Sequence, residues 1–299
     1  MSAGTGMSPW TVRKERGSAC LIRFIAWLAL VSGRRVTRCL LHPITLYFVL
    51  FAPFARRSSK QYLDRALGRP ASWRDVYRHL HCFAGTILDR VFLLKDKFEL
   101  FDIDVDGLDD LHDALRQGRG AILLGAHFGS FDAMRALARA EESRALKVLM
   151  YDANASTVSA VLDAINPALK EQIIPLGPPD SLLRVNDALA NGDMVGILGD
   201  RVTRGEKTYD VDFFGETVKV ATAPWVLAAV TGAPVVIFSA VFDGDNGYKV
   251  KLCRLLVEDG ARPRDHEKGR RFAQSYISIV ERWARDAPYN WFNFYDFWA

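Results

Sequence analysis

Cysteine is scarce in the chain: Cys20, Cys39, Cys82 and Cys253 stand far apart, with no CxxC pair. That excludes a zinc ribbon and gives no sign of a disulfide framework, so the thiols are expected to be reduced. His79 and Cys82 can share a helix face, but two ligands do not make a metal site. Long apolar runs are also missing. Residues 20 to 31, CLIRFIAWLALV, and 44 to 54, ITLYFVLFAPF, fall short of the ~20 predominantly apolar residues a spanning helix needs. No small-residue cleavage site follows the first, and the second carries Pro53, so neither reads as a secretory signal. Internal repeats and low-complexity linkers are absent too.

Acidic residues are nearly missing from the first sixty positions. Arg13, Lys14, Arg16, Arg23, Arg34, Arg35, Arg38, Arg56, Arg57 and Lys60 face only Glu15, a surplus of nine, so with the whole chain at +4 the remainder carries −5. The basic residues bracket apolar stretches that a nucleic-acid arm would have to leave in water, and no nucleic-acid motif is present. Basic side chains flanking Trp, Phe and Leu suit helices lying in an anionic leaflet. An N-terminal helical, membrane-associating layer over residues 1–100 is therefore expected, the other reading being a hydrophobic helical cap on a soluble domain; charge reversal at Arg34 and Arg35 probes whether the basic face meets a membrane or an acidic protein.

What is plentiful is apolar and aromatic material: 49% hydrophobic residues, 18 Phe and 7 Trp in 299 residues, and a mean hydropathy of +0.01. The chain can bury a large core without staples. From Trp73 to Lys97 apolar residues recur every three or four positions, which predicts an amphipathic helix. Beyond Gly107, short helices alternate with β-rich runs. Strands are expected at 121–124, 147–151, 172–176 and 194–198, with helices near 108–117, 130–140, 157–165 and 180–190. Runs 234–242 and 248–257 around DGDNG predict an antiparallel hairpin at one edge, and a helix from about 264 to 286 closes the chain. The pattern implies an α/β core over residues 101–299, a mostly parallel central sheet flanked by helices.

Ligands of such sheets sit outside the carboxyl ends of the strands. In GAHFGSFD, residues 125 to 132, His127 follows an apolar strand and Asp132 falls in the first turn of the next helix. A carboxylate-held imidazole has one tautomer and raised basicity, suited to taking a proton from a hydroxyl. Gly125 and Gly129 let a substrate approach the backbone. A second apolar strand ends at Gly199, Asp200 and Arg201, on the same rim as His127 if the sheet is parallel. Arg201 can bind a phosphate or an oxyanion, or simply pair with Asp200. Phe213, Phe214 and Gly215 form a hydrophobic turn before a helix marked by Pro224.

GAHFGSFD, then GDR, FFG and APWVLAAVTGAPVV in that order, resemble the lysophospholipid acyltransferase superfamily, and most of all its bacterial lipid A late acyltransferases. The resemblance implies His127 as general base with Asp132 as its partner. Gly129, Asp200, Arg201, Phe213, Phe214 and Gly215 would then line the substrate cleft. No metal and no cofactor is implied beyond the co-substrate, an acyl thioester on acyl carrier protein or coenzyme A. The acceptor would be a lipid or glycolipid hydroxyl at the cytoplasmic face of a bacterial inner membrane. Ala223-Pro224 departs from the usual Gly-Pro of that branch. The tail also departs: seven of the eleven residues from Tyr289 to Ala299 are aromatic, which looks closer to acyltransferase-like proteins of aryl-polyene synthesis. The tail reads either as a segment docked on the core or as a wall for an acyl chain.

Other classes find less in the sequence. Ser130 lacks the GxSxG context of a hydrolase nucleophile. The DVD triplets at 104–106 and 210–212 and DGD at 243–245 are the short acidic patterns a metal-dependent glycosyltransferase would use. A non-catalytic lipid-binding component of a synthesis complex is the alternative from outside enzymology.

Overall fold

The computed structural model describes residues 19–140, 144–151, 165–178, 180–203, 205–257 and 262–298. Residues 157–164 of the helix expected near 157–165 and the basic residues Arg13, Lys14 and Arg16 lie outside that set.

Four helices come first: α1 (Ala19–Ser32), α2 (Arg34–Phe51), α3 (Pro53–Ala66) and α4 (Trp73–Leu93). Pro53 occupies the first turn of α3, where its missing N–H costs nothing, and α2 and α3 meet at 93°. No single described helix is long and apolar enough to cross a membrane; that bent pair alone passes by length and composition. α4 starts at a capping box, in which the Ser72 hydroxyl accepts from the Asp75 N–H and the Asp75 carboxylate accepts from the Ser72 N–H.

The core is a seven-stranded sheet. In chain order its strands are β1 (Asp102–Asp106), β2 (Ala121–Gly129), β3 (Leu146–Tyr151), β4 (Ile173–Leu176), β5 (Met194–Leu198), β8 (Val235–Phe242) and β9 (Gly247–Leu255). Between β5 and β8, β6 (Thr208–Phe213) and β7 (Glu216–Ala221) pair as a separate hairpin. The spatial order is β1-β9-β8-β2-β5-β3-β4, parallel throughout except for β8 against β9. The sheet is flanked by α5 (Leu108–Leu115), α6 (Phe131–Ala140), α7 (Ser181–Ala190), α8 (Ala223–Thr231) and α9 (His266–Asp286). The α/β architecture is as expected from the alternating pattern.

β2 is the central strand, and its continuous apolar run feeds both faces. Ile122 and Leu124 belong to one core with residues of α3, α8 and α9. Ala121 and Leu123 belong to a second core with Leu88, Leu111 and Met134 of α4, α5 and α6. Each buried aliphatic side chain contributes about 1.5–3 kcal/mol, so the double-sided packing of β2 fixes what its end can present.

One placement differs from the sequence reading, and one turn gains its context. The β8–β9 hairpin is not at the edge, because β1 pairs in parallel with β9 outside it. β1 reads DIDVD, with its aspartates exposed, the polar alternation suited to an edge strand that must not pair further. The FFG turn is the tip of the β6–β7 hairpin. Phe213 pairs with Glu216, and the two loop residues Phe214 and Gly215 have φ of 56° and 79°. Both positive, they make the two-residue turn that matches strand twist, at some cost for a phenylalanine.

Candidate active site

β2 does not end cleanly. Its register against β8 shifts between Gly125 and Gly129, so His127 sits in a bulge at the carboxyl end of the sheet. Gly129 is required there twice over. Its φ is +74°, and a Cβ would collide with the Ala240 carbonyl oxygen. A Cβ on Gly125 would meet the ring of Phe238, while the Gly125 carbonyl accepts from the Tyr276 hydroxyl at 2.8 Å and the Gly199 N–H at 2.9 Å. The glycine pair therefore allows close packing of protein against the strand.

β5 lies beside β2 in parallel register, and its end carries Asp200 to the same rim. His127 Nδ1 stands 2.7 Å from Asp200 Oδ1, and the backbone N–H of His127 donates to Asp200 Oδ2 at 2.9 Å. Asp200 is fully buried. Burial opposes its charge, but the His127 ring, Arg201 and the His127 backbone N–H together hold its carboxyl well below the ordinary range. An ionised carboxylate can only accept, so Nδ1 carries the hydrogen and Nε2 the lone pair. Among the described residues, Nε2 has no hydrogen-bond partner. The ring is 27% exposed. Its pKa is lowered by burial first and by the Arg201 charge next, with Asp200 pulling the other way. At neutral pH the imidazole is an uncharged base with its acceptor nitrogen turned away from the carboxylate.

Asp132 was expected to hold the ring, yet its carboxylate lies 2.6 Å from Arg90 Nε of α4. The spacing brings it to the first turn of α6 as foreseen, next to the exposed N–H groups that favour an anion there. The partner differs because that turn packs on α4, whereas the ring's Nδ1 points to the neighbouring strand. Ser130 is buried, and its hydroxyl accepts from the Ala133 N–H.

Arg201 does not simply pair with Asp200. Its Nε donates to Asn293 Oδ1 at 2.9 Å and one terminal nitrogen donates to the Phe292 carbonyl at 3.1 Å, with the guanidinium 5.9 Å from the Tyr295 ring centroid. The aromatic tail is docked on the core. Trp291 is fully buried, and its indole N–H donates to Asp200 Oδ2 at 3.1 Å. The Asn293 amide donates to the same oxygen at 2.7 Å. Phe213 is sealed among Trp291, Phe297 and Trp298, with centroids 5.3–5.9 Å apart. Phe214 faces Tyr62 at 6.3 Å and lies under the Arg285 guanidinium. Phe213 thus backs Trp291. Trp291 and Asn293 were not singled out as site residues from sequence; their only signal was the density of aromatics around them.

His79 of α4 is also buried, with Nδ1 2.8 Å from the Ser59 hydroxyl and Nε2 2.8 Å from the Trp291 carbonyl. Burial lowers its pKa to about 4, so it is neutral and acts as a tether between the helical layer and the tail. Among the described residues, no group of three or more His, Cys, Asp or Glu is placed to hold a metal.

Fold and geometry define an α/β protein with a His–Asp pair at the carboxyl rim of its central strands. A model of the bacterial lipid A biosynthesis acyltransferase family matches residues 89–299, more than half of the chain, and the protein belongs to that family. No curated protein matches it in sequence.

Proposed function

We propose that the protein transfers an acyl group from a thioester, carried by acyl carrier protein or coenzyme A, to a hydroxyl of a lipid or glycolipid. The observation that carries this reading is the His127–Asp200 contact, which leaves Nε2 of a neutral imidazole available at the rim. Nε2 takes the hydroxyl proton as the oxygen attacks the thioester carbonyl. The tetrahedral oxyanion then collapses, the C–S bond breaks, and the imidazolium returns its proton to the leaving thiolate, giving an ester and a free thiol. Asp200 holds the ring in the productive tautomer and stabilises its protonated form. Asp132 has a supporting part, tying the first turn of α6 to Arg90. Arg201 and the Phe213–Gly215 tip act behind the pair, through the tail.

The helical layer fits a membrane role. Phe24, Trp27, Val31 and Val36 of α1 and α2, and Leu46, Tyr47, Leu50 and Phe51 farther along α2, are exposed. Arg23, Arg35, Arg57 and Lys60 are exposed with them. Apolar side chains at this density with basic neighbours suit an anionic bilayer surface, which would hold the rim where lipid acceptors are found. Arg34 is no surface probe: it is buried, bonding to both oxygens of Asp89 at 2.6 and 2.8 Å.

The test offers purified protein radiolabelled acyl groups on carrier protein and on coenzyme A, with a bacterial membrane lipid extract as acceptor pool. A labelled lipid formed by the wild type and lost in His127→Ala supports acyl transfer and names the donor. Equal product from both proteins removes His127 as the base, and silence with every donor while lipid co-purifies favours the lipid-binding component instead.

A further inference from the structure

The tail does more than cover the core. After a short 3-10 turn (Pro288–Asn290), the chain runs antiparallel to the bulged end of β2: Phe128 bridges Trp291, and the Phe292 N–H donates to the carbonyl of His127 itself at 2.7 Å. Asn290 secures the approach, its amide accepting from the Phe242 N–H and donating to the Phe242 carbonyl. The next alternate side chains then reach Asp200.

The two oxygens of Asp200 are used unequally. Oδ2 accepts from three donors, the His127 backbone N–H, the Trp291 indole and the Asn293 amide. Oδ1 accepts from the imidazole. With Oδ2 filled, the carboxylate cannot rotate without breaking three bonds, so Oδ1 is left in one place for the ring. Asn293 suits its position chemically. Its carbonyl end takes the Arg201 N–H and its amide end meets Asp200, so one dipole bridges a cation and an anion. A carboxylate there would repel Asp200, and an aliphatic side chain would leave buried partners unmet.

We propose that Trp291 and Asn293 are positioning residues for the acyl-transfer site: the tail clamps one oxygen of Asp200 and thereby fixes the orientation and tautomer of His127. The inference rests on His127 being the base, and its test does not depend on turnover alone. Trp291→Phe keeps a ring against Phe213 and Phe297 but removes the donor; Asn293→Leu keeps the volume and removes both amide functions. Two measurements are made on each: the pH profile of acyl transfer, and the 15N NMR signals of the His127 ring in substrate-free protein.

The wild-type ring is expected to be the Nδ1–H tautomer throughout the neutral range. Each variant is expected to lose 10- to 100-fold in kcat with KM little changed, and to show a mixture of His127 tautomers. Where Oδ1 still meets the ring the acid limb moves to higher pH, because a carboxylate with fewer donors is more basic and stabilises the imidazolium more strongly, and molecules whose carboxylate has turned away supply the second tautomer. The groups facing the ring that set this limb are Asp200 and Arg201. A wild-type kcat with an unmoved limb and a single unchanged tautomer overturns the proposal. If the wild type is inactive with every donor, the acyl-transfer reading fails, yet the ring signals still decide whether the tail positions His127.

Discussion

Asp200→Asn is the sharpest perturbation available, because the structure dictates which way the new amide must face. Oδ2 of Asp200 accepts from three protein N–H groups, so the amide oxygen of an asparagine must occupy that position. Its NH2 then takes the place of Oδ1, 2.7 Å from Nδ1 of His127. Two donors cannot face each other, so Nδ1 must give up its hydrogen and become the acceptor. The hydrogen moves to Nε2, which then has no lone pair for the attacking hydroxyl. The same change in a hydrolase triad costs about 10⁴ in kcat, and a loss of about 10³–10⁴, or ~4–5.5 kcal/mol of transition-state stabilisation, is expected here. The three bonds to Oδ2 survive, so circular dichroism and the urea midpoint should stay near wild type. Asp132→Asn is the control. It loses the ion pair with Arg90 and the charge at the first turn of α6; with the carboxylate 7% and Arg90 34% exposed, that should cost about 1–3 kcal/mol of stability and less than about tenfold in kcat. Steady-state acyl transfer measured for both variants decides the matter. If Asp132→Asn is the crippled enzyme and Asp200→Asn is active, the assignment of Asp200 as the orienting carboxylate is refuted.

Three further outcomes are expected. His79 has a folded pKa of about 4 against an ordinary 6.5, so between those values the unfolded chain holds the extra proton and stability falls as pH falls. Urea unfolding at pH 7 and pH 5 should differ by about 2 kcal/mol from this group, and His79→Gln should flatten that slope. Gly129→Ala should reduce acyl transfer severely, since strain at φ +74° adds to a clash with Ala240 and both displace the His127 bulge; unchanged activity would show that the bulge tolerates a side chain. Trp27→Glu with Phe51→Glu should weaken sedimentation with anionic vesicles while leaving the urea midpoint in place, because both side chains are exposed; undiminished binding would move the membrane contact elsewhere.

Much of this was legible in the residues because period and punctuation agreed. The apolar run of β2 ended by Gly125, the run MVGIL of β5, and the amphipathic spacing of α4 each has one reading, and a parallel sheet then puts His127 and Asp200 on one rim. Partner choice was not legible. His127 and Asp132 are five positions apart and Asp200 is seventy-three away, so spacing favours the local pair, whereas the ring's direction is set by a bulge that depends on Ala240 of another strand. The edge strand β1 was hidden by its polarity, and the β6–β7 hairpin by a turn with phenylalanine in place of asparagine or glycine. The tail's role was hidden because Trp291 and Asn293 acquire meaning only beside Asp200.

The pairing of β1 with β9 bears on how the site comes into being. Asp102 meets Gly247, a partner almost half the chain away, and the base, its carboxylate and the clamp come from positions 127, 200 and 291 to 293. Long-range parallel pairing is slow to form, since loop closure precedes any gain from contact. No local fragment holds two of these three parts, so a partly folded intermediate would be compact yet inert. Regain of activity after dilution from denaturant should therefore trail the regain of helix, and would time the docking of the tail.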